Sequence, residues 1–212
     1  MQVGEATRLH GVLSATRMAG YLQQCGGDFV AALRLHCWNT EISEAFYGPL
    51  QYLEVAMRSV MTERLSAHLG RGDWWDDPGA NLTYVAQNKI ADAARQVTRA
   101  GLSASPDRVV EELSFGFWVS LLGSGNNYDQ HLWRPALYRA FPGWRGRRRD
   151  LHQKLDYLRV LRNKIAHHAP IHHRHLTVDH DRVLECLAYI DVGLAQMVER
   201  HSRVVGVLSR RP

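Results

Sequence analysis

The chain has 212 residues, 45% of them hydrophobic and 22% charged, with a formal net charge of +5. This balance suits one soluble domain of generous size. It excludes a membrane-spanning chain, because no apolar run approaches the ~20 residues needed to cross a bilayer.

The first eight residues, Met1 to Arg8, lack the basic-then-apolar order of a secretion signal. A first helix is predicted from Ser14 to Gln24, stopping at Gly26-Gly27. Asp28 can cap the next, with Phe29, Leu33 and Cys37 on one side. Trp38-Asn39-Thr40 reads as a break. A long helix is then predicted from about Glu41 to Leu69, with a kink or break at Gly48 imposed by Pro49. Beyond the proline its apolar stripe is Leu50, Leu53, Met57, Val60, Met61 and Leu65. Glu54 falls within the arc of that stripe. A lone carboxylate buried there costs several kcal/mol or more. Arg58, one turn on, is the local partner; an edge position open to water is the alternative.

Arg71 to Pro78 is a loop whose two tryptophans are expected to lid the core. A helix follows from Thr83 to about Gly101. Ser105-Pro106-Asp107 is a strong start signal. The helix it opens is read as continuing from Val109 to Leu122, apolar nearly all round and central to the core. A short helix is expected between Trp133 and Pro142. From Trp144 to His175 there are nine Lys/Arg against two Asp, a local charge of +7, which leaves −2 for the remainder. After Arg145, the three arginines Arg147, Arg148 and Arg149 stand at the start of a helix that reaches about Ala166, where they oppose its dipole. That conflict hints at an anion site; a solvated arginine cluster is the alternative.

Leu151, Leu155, Leu158, Leu161 and Ile165 form the apolar face of this helix, and Arg162 lies inside that face. It needs a partner: a carboxylate such as Glu54, a subunit across an interface, or a phosphate. Asn163 and His167 share a face, so Asn163 can orient the imidazole. Arg162 and His167 are about 140° apart on an ideal helix, so joint action requires the long arginine to wrap or the helix to unwind before Pro170. Arg-x4–6-His spacing by itself carries no information, since roughly four matches arise by chance in this composition. Six of the twelve histidines fall between Trp144 and His175. They have no recognised ligand spacing, so neither a metal nor a cofactor is expected. A last amphipathic helix runs through Val183, Leu187, Ile190, Leu194 and Met197, and the tail from Ser209 frays. Cys25, Cys37 and Cys186 are widely spaced without C-x-x-C pairing, which points to a reduced, cytoplasmic compartment with all three buried or inert.

Several blocks carry a resemblance: Ala32 to Asn39, Leu50 to Arg58, Asp73-Trp74-Trp75, Leu113 to Trp118, Leu132 to Pro135, and Leu161-Arg162-Asn163-Lys-Ile-Ala-His167-His168-Ala-Pro170-Ile171. On these the chain resembles the Abi-like family of abortive-infection proteins, within the HEPN superfamily. The last block is the most specific, because it matches the superfamily's Arg-polar-x3-His signature.

The resemblance implies an all-α, HEPN-like helical bundle with additional helices. It covers a single domain over residues 1–212, with the helices before about residue 47 packed as an appended subdomain. It also implies a homodimer with the motif helices at the interface, and metal-independent endoribonuclease activity in phage defence or a toxin–antitoxin system. Arg162, Asn163 and His167 match the functional positions, His168 is the alternative histidine, and Glu54 is expected to hold Arg162. Arg58, Arg145, Arg147, Arg148, Arg149 and Lys164 are the expected RNA contacts. RNA and a regulatory protein such as an antitoxin are the expected partners. The alternative is an RNA-binding or sensing module without catalysis.

Overall fold

The computed structural model describes residues 2–212, and among them it contains helices and turns but no strand. The protein is all-α. Two short helices, α1 (Val3–Val12) and α2 (Ala15–Gln24), precede α3 (Phe29–Leu69). At 41 residues α3 is about 60 Å long. It is the spine of the molecule, and α1, α2, α6 (Phe115–Ser120), α7 (Arg148–Ala166), α8 (Leu176–Ile190) and α10 (Val204–Leu208) all pack on it. The set is completed by α4 (Tyr84–Arg99), α5 (Pro106–Glu112) and α9 (Val192–His201).

Local chemistry sets the ends of α3. Asp28 accepts hydrogen bonds from the Val30 and Ala31 amides, and Gly70 closes the helix in the left-handed region at φ 72°. Between them Ile42, Phe46, Leu50, Leu53, Met57, Met61 and Leu65 form one fully buried seam at helical spacing. Ala6, Met18 and Tyr21 from the first two helices belong to the same core.

Neither expected break in α3 occurs. Trp38 is buried and donates from Nε1 to the Val207 carbonyl at 2.9 Å. Asn39 turns its side chain away from its own backbone, accepting from the Ile171 and His172 amides at 2.8 and 3.0 Å. These residues favour a break only when their polar groups lack distant partners. The helix also runs unbroken through Pro49, which is buried between Phe46 and Leu53 on the packed face. Tertiary packing outweighs the missing amide there.

Two helices expected to be continuous are divided. The segment 106–122 breaks at Leu113 and Ser114, whose ψ angles are 124° and 159°. The last segment breaks at Asp191, which accepts from the Leu194 amide at 2.7 Å and caps α9. The tail is not frayed. Arg210 pairs with Glu41, and the Arg211 guanidinium lies over Trp38, 5.3 Å from the ring centroid. No helix among the described residues is long and apolar enough to cross a membrane.

Candidate active-site groove

Glu54 is the link between the fold and the site. One of its carboxylate oxygens accepts from the Phe115 amide at 2.9 Å, at the first residue of α6. The other lies 3.3 Å from Nε of Arg162 on α7. One turn along α3, Arg58 donates to the Glu111 carbonyl at 2.8 Å, at the end of α5. The break between α5 and α6 is therefore held from α3 on both sides. A carboxylate meets the positive start of one helix, and a guanidinium meets the negative end of the other. Glu54 pairs with Arg162 on α7, not with Arg58 one turn away on its own helix. The arginine on the apolar face of α7 thus has the carboxylate partner that its position demands, and 36% of its side chain stays open to solvent.

That open side faces a groove of about 940 Å³ along α3. Its walls include Glu44, Tyr47, Gln51, Glu54 and Arg58 from α3, Arg162 and Ile165 from α7, and Arg203 just before α10. The histidine that lines it is His168. His167 is exposed at the end of α7 and is not part of the groove wall.

The backbone explains this choice. The His168 amide donates to the Ile165 carbonyl at 3.0 Å and the Ala169 amide to the Lys164 carbonyl at 2.8 Å. This pair of bonds is the Schellman closure of a helix end. It places His168 in the left-handed region at φ 54°, where glycine is usual. The turn swings the residue out of the helical register. An arginine and a histidine six positions apart, about 120° from each other on an ideal helix, thereby line one groove. Asn39 then fastens the chain beyond Pro170 through the Ile171 and His172 amides.

The other expected residues lie elsewhere. Asn163 is half-buried, and its side chain makes no hydrogen bond to His167. Lys164 is half-buried outside the groove wall. The arginine cluster stands at the opposite end of α7, about 20 Å from Arg162 by helical rise. Arg148 is turned inward, where it bonds the Leu122 and Gly123 carbonyls and lies 3.3 Å from Asp129. It closes the end of the preceding helical segment, and its charge is used internally. Arg145 donates to the Pro142 carbonyl at 2.8 Å, and Arg147 pairs with Asp150 at 3.0 Å. Of the four, only Arg149 is exposed with no hydrogen bond to another side chain or carbonyl. The cluster and the motif are two places, not one track.

The histidines between 172 and 180 are also separate. His172 is buried against Tyr21, with ring centroids 4.6 Å apart, and burial holds its pKa down to about 4. His180 pairs with the Ser202 hydroxyl at 2.8 Å. Among the described residues no group of three His, Cys, Asp or Glu side chains is gathered as a metal site. Cys186 is buried, which pushes its thiol up to about 12, whereas Cys25 is half-buried and Cys37 exposed.

Sequence reasoning missed Tyr47 and Arg203. Tyr47 could have been found from its spacing of seven positions before Glu54, which puts it on the same face of α3. Arg203 carried no signal, because its place depends on how the C-terminal segment folds back. Comparisons with protein-family models, curated proteins and solved structures find no match for this chain.

Proposed function

We propose that this chain is a HEPN-type, metal-independent endoribonuclease of the Abi-like kind, acting in the cytoplasm in phage defence or in a toxin–antitoxin system. One observation carries the reading: a carboxylate-held arginine and a histidine on a left-handed helix end line the same open groove. In this mechanism His168 takes the proton from a ribose 2′-OH as the 2′ oxygen attacks the adjacent phosphorus. The bond from phosphorus to the 5′ oxygen breaks, and that oxygen leaves with a proton from solvent. The products are a 2′,3′-cyclic phosphate and a 5′-hydroxyl. Arg162 neutralises the charge that gathers on the phosphate oxygens. Glu54 keeps Arg162 in place, and DNA, lacking the 2′-OH, is not cut. A second copy of the chain meets this one along the motif helices, and a regulatory protein such as an antitoxin restrains the activity.

End-labelled RNA incubated in EDTA tests the proposal. His168→Ala and Arg162→Ala are each expected to lower the cleavage rate at least a hundredfold while the protein stays folded. His167→Ala is expected to cost much less. Cleavage that persists unchanged in His168→Ala and His167→Ala rejects the site. A second reading, RNA binding without cleavage, is favoured by the Arg162–Glu54 pair, which already offsets part of the arginine charge. Binding without a cyclic-phosphate product at any protein concentration would establish that reading instead.

A further inference from the structure

We infer that the groove extends beyond Arg162 and His168 into a nucleotide subsite, where Tyr47 stacks an unpaired base and Arg203 takes the adjoining phosphate of a single-stranded RNA. The identity of the strand as RNA rests on the ribonuclease reading; the binding geometry rests on the groove itself.

Tyr47 is 64% exposed, although it sits on a helix whose other bulky side chains are mostly buried. It lines the same groove as Arg162 and His168. A ring held on a rigid helix at a groove wall is a stacking platform, because every base has a π face to lay on it. Arg203 is exposed and makes no ion pair or side-chain hydrogen bond among the described residues. Its position is nonetheless defined. It precedes α10, which is fastened to α3 by the Trp38–Val207 hydrogen bond and the Arg210–Glu41 ion pair. Those anchors lie at the N-terminal end of the α3 stripe, whereas Arg58 stands at its other end, with the Glu54–Arg162 pair between. Three guanidiniums are thus spread along one groove. Glu54 is occupied by Arg162 and the Phe115 amide. That leaves Glu44 as the one acid of the groove wall set against Arg58 and Arg203. The charge excess and its spacing favour a chain of phosphates over an apolar helix.

A fluorescent oligoribonucleotide with every 2′-OH methylated serves as probe, since it can bind but offers no attacking hydroxyl. Binding to the full chain is read by anisotropy over a range of salt. Tyr47→Ala is expected to weaken it about tenfold, and Tyr47→Phe to leave it within about twofold. Arg203→Ala is expected to weaken it and to reduce the slope of log K against log salt by about 0.7. Arg99→Ala, on the exposed end of α4, should change neither. Because Tyr47 and Arg203 are both exposed, the variants should melt like the wild type.

The subsite is overturned if the wild type fails to bind the probe, or if both variants bind it as the wild type does. It is also overturned if Tyr47→Ala leaves RNA binding intact but dissociates a dimer, which would make this face a protein contact. The ribonuclease reading fails separately: the methylated strand would bind with the expected losses in the variants, while unmodified RNA remained uncut.

Discussion

His168 stands where helix ends usually place glycine. A side chain in the left-handed region meets its own backbone, at a cost of about 1 kcal/mol. The residue that follows, Ala169, and Pro170 carry no such load. A left-handed residue at a groove wall is a candidate for function, and the same conformation at Ser14, Asn81 and Asn127 lies outside the groove. His168→Gly should therefore raise stability by up to about 1 kcal/mol in urea unfolding while removing cleavage. A glycine variant that is less stable, or equally active, would mean that the imidazole serves packing or nothing. The same scale explains why Asn39 matters far from its own helix turn. Its side-chain oxygen is the acceptor for two buried amides, so it fixes the loop that presents His168.

At the scale of elements, the sequence of α3 encodes more than a long apolar seam. Glu54 and Arg58 reach out of it to the facing ends of α5 and α6, and this contact divides what periodicity reads as one helix. Glu54→Ala should remove a charged acceptor from the Phe115 amide and leave Arg162 without its carboxylate. The expected loss is about 1–3 kcal/mol, measured by thermal or urea unfolding. Glu54→Gln keeps an acceptor for the amide but not the charge. It should recover most of the stability while Arg162 is less well held, so RNA cleavage falls further than stability does. Equal recovery of both would show that the carboxylate serves only the fold. The helix ends were legible where a cap is local, as at Asp28 and Thr83. They were not legible at Leu113, where the cap comes from a residue about sixty positions earlier.

Over the whole molecule, acid should unfold this protein by way of its buried histidines. His172 has an ordinary value of 6.5 and is held down to about 4 by burial first, then by His173 and Arg211. His180 is also lowered, again by burial. The folded state therefore binds fewer protons than the unfolded chain between these values. The stabilisation is complete above pH 6.5 and is lost as pH falls towards 4. For His172 the loss is roughly 3 kcal/mol at most. Its Nδ1 has no hydrogen-bond partner, so His172→Phe sacrifices no bond and keeps the contact with Tyr21. Melting curves from pH 7 to pH 4 should fall steeply for the wild type and less so for this variant. An unchanged slope would assign the acid sensitivity to other groups.

The sequence by itself determined that the chain is helical, where several helices begin and end, and which residues violate their own patterns. Glu54 and Arg162 each sit on an apolar stripe, and that anomaly is visible because periodicity is a property of the local backbone. Only the tertiary structure decided that these two charges satisfy each other, that His168 and not His167 enters the groove, and that Arg203 joins them. Each of those outcomes depends on which helices become neighbours. The histidine depends also on a single left-handed residue, which rotates the chain out of the period by which the sequence is read. Arg148 shows the same limit in reverse. It looks free for a phosphate in a basic run, yet it is consumed by the Leu122 and Gly123 carbonyls, which reach it only when the chain has folded.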